Sequence, residues 1–95
     1  MLTILHLIRR SAFNSNQLEN CLATLSAADS VVLIDDGCYS INHPSLAAVT
    51  STHHVYVVTE HVNARGVCLI DSVNTISLKE LTDLMFSHDS VVTWQ

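Results

Sequence analysis

The sequence predicts a three-layer α/β/α single domain on a mostly parallel sheet of about five strands. Three observations carry that expectation. Strand and helix patterns alternate along the whole 95-residue chain. Two central segments, Val31-Val32-Leu33-Ile34 and His54-Val55-Tyr56-Val57-Val58, are near-continuous apolar runs, as in strands covered on both faces. One proline and two glycines make the punctuation sparse enough to read each boundary directly.

Leu2 to Leu7 is a short apolar strand. Asn14-Ser15-Asn16 supplies capping side chains, after which Leu18, Cys21, Leu22 and Leu25 recur at helical spacing. That amphipathic helix is expected to end near Ala28-Asp29. Val31 to Ile34 forms the next strand, and Asp35-Asp36-Gly37 closes it with turn chemistry. Pro44 suits the first turn of a short helix running to Ala48-Val49. After the strand His54 to Val58, Thr59 to Ala64 forms a helical turn that Gly66 terminates. Asn74-Thr75-Ile76 is a brief strand. Ser77-x-x-Glu80 is a capping box, opening a helix with Leu78, Leu81, Leu84 and Met85 on one face. Val91-Val92-Thr93-Trp94 is expected at a sheet edge. No repeat, low-complexity tract or linker interrupts the pattern, so residues 1–95 are expected to form one domain.

Composition narrows the function classes. A chain of this length buries only about 60–65% of the surface that its unfolded form exposes. Yet 48% of its residues are hydrophobic and 14% are charged, against an ordinary charged share of about 25%. Coverage of apolar surface by other chains would resolve that imbalance; a surface made polar by the abundant Ser, Thr, Asn and His residues is the alternative. The net charge is −5, with Arg9, Arg10, Arg65 and Lys79 the only cationic residues apart from histidine. Direct nucleic-acid binding and docking on an anionic membrane are therefore not expected. No apolar run approaches the ~20 residues of a membrane span. At the N-terminus the arginines follow the apolar stretch, the reverse of a signal peptide. Cys21, Cys38 and Cys68 are an odd set without a Cys-x-x-Cys, which fits reduced intracellular thiols.

In open parallel sheets functional groups collect at the carboxyl ends of the strands. Three segments fall there: His6 to Ser11, Asp35 to Cys38, and Thr59 to Gly66. Asp35-Asp36 offers two carboxylates to a cation, but a phosphoryl-accepting domain also needs a lysine ending a later strand. Lys79 instead opens a helix, so a turn is the expected role of the acidic pair. His6, His43, His53, His54, His61 and His88 show no metal-ligand spacing, and adjacent His53 and His54 would face opposite ways in a strand. No metal and no cofactor is expected. No glycine-rich phosphate loop and no nucleophile elbow is present. Cys38, after the Asp-Gly turn, stands where a thiol could be exposed, and Cys68 follows the Arg65-Gly66 stop. Cys21 lies on the apolar stripe of its helix, as a small buried hydrophobe would. A working thiol must be accessible and partly ionised, a state that Arg9-Arg10 would favour if they met it.

Taken in order, several segments resemble the TusB/DsrH family of small sulfur-relay subunits. Leu5-His6 and Ser11 are similar to its opening Leu-His…Ser pattern. Leu18-Glu19-Asn20-Cys21-Leu22 resembles the first helix of the DsrH members, which carry a cysteine there. Val32-Leu33-Ile34-Asp35-Asp36-Gly37 is similar to its apolar strand ending in an acidic or Gln-Asp-Gly turn. Val55-Tyr56-Val57 followed by Ala64-Arg65-Gly66 resembles its strand and Ala-Arg-Gly signature, and Trp94 matches a tryptophan near its C-terminus.

The resemblance implies a DsrE/DsrF/DsrH-like fold in a cytoplasmic heterohexamer with TusC/DsrF-like and TusD/DsrE-like subunits. In the Tus version, persulfide sulfur passes through the complex to a TusE-like acceptor and onward to 2-thiolation of the tRNA wobble uridine. The main persulfide cysteine belongs to the TusD/DsrE-like subunit. This chain is then expected to be a non-catalytic or accessory subunit. Two alternatives stay open: Cys21 as a catalytic persulfide carrier, or a DsrH-type subunit in dissimilatory sulfur oxidation. A free-standing small-molecule-binding domain is a third reading.

Overall fold

Apolar and β-branched runs form all five expected strands, though the first runs from Ile4 to Ile8 and not from Leu2 to Leu7, and the second begins and ends one residue earlier than expected. β1 (Ile4–Ile8), β2 (Ser30–Leu33), β3 (His54–Val58), β4 (Asn74–Ile76) and β5 (Ser90–Trp94) make one sheet in the order β4-β3-β2-β1-β5. Every pairing is parallel, with Leu7 beside Val32, Val32 beside Tyr56, Val58 beside Ile76, and Ile8 beside Trp94. The computed structural model describes residues 2–94; Met1 and Gln95, the ends of the expected 1–95 domain, lie outside the described residues.

Parallel neighbours need crossovers, and their handedness sets the layers. α1 (Gln17–Thr24), α2 (Pro44–Ala47) and α3 (Thr59–Arg65) belong to the three crossovers that step from β1 to β4. They share one face, where Leu18, Cys21, Leu46 and Val62 pack with Ile8, Val31, Leu33, Val55 and Val57. α4 (Leu78–Ser87) returns across the other face to reach β5. There Leu81 and Leu84 pack with Leu5, Leu7, Val32, Val58 and Ile76. The fold is the expected three-layer α/β/α arrangement, with α1, α2 and α3 on one side and α4 on the other.

The capping box of α4 forms in full: Ser77 Oγ accepts from the Glu80 N–H, and the Glu80 carboxylate accepts from the Ser77 N–H. Gly66 ends α3 in the left-handed region at φ 63°, and Pro44 sits in the first turn of α2. Two local expectations are corrected. α1 stops at Thr24, short of Ala28-Asp29, because Asp29 is turned inward as a buried acceptor. At its start Ser15 Oγ, one of the expected capping side chains, accepts from the Gln17 N–H. On α4, Leu78 and Met85 share the helical face of Leu81 yet stay exposed. They lie in the first and last turns, and spacing along a helix does not say what covers its ends.

Candidate functional site

The turn expected at Asp35-Asp36-Gly37 is the start of a 3-10 helix, Asp35–Asn42. A Cβ on Gly37 would run into the carbonyl of Ile8, so only glycine lets this segment lie against the end of β1. The Gly37 N–H faces the carbonyls of Ile34 and Arg9 at 2.8 and 3.1 Å. The left-handed residue of the turn is Asp35, at φ 47°, and not the glycine. Such a conformation costs a non-glycine residue about 1 kcal/mol or more. Local bonds hold it: the Asp35 N–H donates to His61 Nδ1 at 3.0 Å, and Arg9 Nε donates to Asp35 Oδ2 at 3.2 Å.

α3 presents His61 and Arg65 on one face, four residues apart, toward the same place. Arg65 Nε donates to Asp36 Oδ1 at 3.0 Å, and its Nη2 lies 3.9 Å from Asp35 Oδ1. The hydrogen bond to Asp36 raises the Arg65 pKa further, so its charge is permanent. Arg9, Arg10, Asp35, Asp36 and Arg65 together line an open cleft of about 600 Å³ over the carboxyl ends of β1 and β2. The acidic pair is thus met by guanidinium groups. Among the described residues no group of three or more His, Cys, Asp and Glu side chains could hold a metal ion.

The structure does not bring the thiols into this cleft as accessible groups. Cys21 is fully buried in α1, and burial, followed by the charge of Asp29, pushes its pKa up to about 12. Arg9 is engaged with Asp35. Cys38, expected at an exposed turn, is also fully buried, because the 3-10 helix turns it under the cleft toward the Leu33 carbonyl. Burial pushes its pKa up to about 11, against the opposing pull of Arg65. Only Cys68 is exposed.

A second polar cluster lies inside the fold. His6 Nε2 stands 3.0 Å from Asp29 Oδ2, and Trp94 Nε1 donates to His6 Nδ1 at 3.1 Å. An indole N–H only donates, so Nδ1 is the acceptor and the His6 ring proton sits on Nε2, facing Asp29. Asp29 also accepts from the backbone N–H groups of Ser26 and Ile4. Burial works against its charged form, but these bonds outweigh it and hold the carboxyl below its ordinary pKa. Spacing could not join these residues, because 88 positions separate His6 from Trp94. The remaining histidines have structural partners: His43 Nδ1 caps α2 through the Ser45 N–H, His53 bonds the Ser26 carbonyl, His54 stacks on Tyr56, and His88 Nδ1 bonds the Leu84 carbonyl.

Fold and cleft together define a class: an all-parallel α/β domain with arginines and carboxylates at its carboxyl edge and its helix thiol in the core. The model of the "DsrH like protein" family matches residues 10–91, and the chain belongs to that family of sulfur-relay proteins. A crystal structure described as the ychN protein from E. coli superposes with a TM-score of 0.81 at 22% identity. It covers 99% of this chain and 100% of its own, which establishes a shared fold. No functionally curated protein matches the chain. No helix among the described residues is long and apolar enough to cross a membrane.

Proposed function

We propose that this chain is an accessory, non-catalytic subunit of a cytoplasmic sulfurtransferase complex that supports 2-thiolation of the tRNA wobble uridine. The observation that carries this reading is the state of the family-helix thiol: Cys21 is fully buried, with its pKa pushed up to about 12. A persulfide carrier needs an accessible, partly ionised sulfur. In keeping with the family resemblance, the reacting cysteine is assigned to a TusD/DsrE-like partner, with a TusC/DsrF-like subunit completing a heterohexamer and a TusE-like protein accepting the sulfur. Exposed Leu2, Phe13, Phe86, Val91 and Val92 supply apolar surface for such assembly.

The position of Cys21 in the helix that carries the DsrH cysteine favours a second reading, in which Cys21 itself takes sulfur. Cys21→Ser in the co-expressed complex separates the two. Transfer of labelled sulfur from a donor to the acceptor should persist at the wild-type rate. Loss of transfer with assembly intact would overturn the accessory role. The tRNA branch is tested by deleting the gene and assaying 2-thiouridine in bulk tRNA. An unchanged thiouridine content would move the complex to sulfur oxidation.

A further inference from the structure

We propose that the carboxyl-edge cleft binds the phosphate group of a small phosphate monoester. Three of the four cationic residues of a chain with net charge −5 line this one cleft. Structural need accounts for two of them: Arg9 restrains Asp35 in its left-handed conformation, and Arg65 ties α3 to Asp36. Arg10 enters none of the ion pairs among the described residues and is exposed. Three guanidinium groups against two carboxylates leave one positive charge in excess, opposite in sign to the chain as a whole.

The donors fit the ligand. A guanidinium fork meets tetrahedral oxyanions with paired N–H groups, which a lysine cannot do. His61 supports the site from behind, its Nδ1 accepting from the Asp35 N–H. The strained Asp35 stands at the centre of the cluster, where backbone strain is commonly kept for a site. The cleft of about 600 Å³ is larger than a phosphate ion needs and within the range of small-molecule sites, which favours a phosphate carried on an organic group.

The test uses the full chain with its co-purifying partners and reads the phosphorus-31 line of added inorganic phosphate and, separately, adenosine monophosphate. Both lines should broaden saturably at constant ionic strength, with the monoester binding more tightly. Arg10→Ala should weaken binding at least tenfold, whereas Lys79→Ala, outside the cleft, should leave it unchanged. Asp36→Asn keeps an acceptor for Arg65 and removes a negative charge, so it should tighten binding severalfold. Equal losses in Arg10→Ala and Lys79→Ala, weakening in Asp36→Asn, or equal competition by acetate would each overturn the proposal. None of these readouts involves sulfur transfer, so they stand or fall independently of the accessory-subunit reading.

Discussion

Asp29 receives hydrogen bonds from His6, from the Ser26 N–H and from the Ile4 N–H, so one carboxylate joins the start of β1 to the loop before β2. Hydrogen bonds to a charged group are worth about 1.5–3 kcal/mol each where removal leaves a buried partner unmet. Asp29→Asn should therefore cost about 2 kcal/mol in urea unfolding at pH 7. The sign of the pH effect follows from the lowered pKa. The stabilisation is complete above about pH 4, the unfolded value, and is lost as pH falls through the depressed folded value. The wild type should lose stability over that acid window more steeply than the variant. Parallel slopes would mean that the carboxylate contributes no charge-dependent stability. The thiols give a second test at this scale. With Cys21 and Cys38 buried and raised to about 12 and 11, an aromatic disulfide reagent at pH 8 should titrate Cys68 alone. Release of all three thiols should require denaturant, and rapid reaction of a second thiol in native protein would contradict the burial of both.

Elements were legible where one local pattern decided them. β3 and β4 have the bounds that their residues predict, and Ser77 and Glu80 form both halves of the capping box. Ser77→Ala should cost about 1 kcal/mol, measured by thermal or urea unfolding. Elements whose limits depend on distant partners were not legible. The end of α1 depends on Asp29 turning inward to His6, and the length of the 3-10 helix depends on contact between Gly37 and Ile8. For the same reason the arginines and carboxylates could be named as strand-end residues, but the pairings Arg9–Asp35 and Arg65–Asp36 could not. Cys38 was expected near the surface because a turn leaves it there; a 3-10 helix pressed on β1 buries it. Gly37→Ala tests that contact. The added methyl meets backbone, which cannot step aside as a flexible side chain can, so a loss of about 2 kcal/mol or more is expected. A neutral result would place the close approach elsewhere.

At the scale of the molecule, the two faces of the sheet are unequally covered. Three α-helices and the 3-10 helix close one face, while α4 crosses the other and leaves Phe86 at 86% exposure, with Met85 and Leu78 also open. β5 lies at the edge beside β1, with Val91 and Val92 exposed and one side of its backbone unpaired in the sheet. Composition had already indicated more apolar surface than a lone domain of this size can hide, and these residues are where it lies. If assembly covers them, substitution there should uncouple association from folding. Phe86→Glu removes a side chain that packs little within the chain, so its melting temperature should stay within a few degrees of the wild type. Recovery of partner subunits on the tagged variant should fall at least tenfold, because a charge placed in an apolar contact leaves an unpaired group to desolvate. Sedimentation of the isolated wild type should show concentration-dependent self-association that the variant reduces. Unchanged partner recovery would instead place the assembly contact on the opposite face, where Phe13 is exposed beside His43.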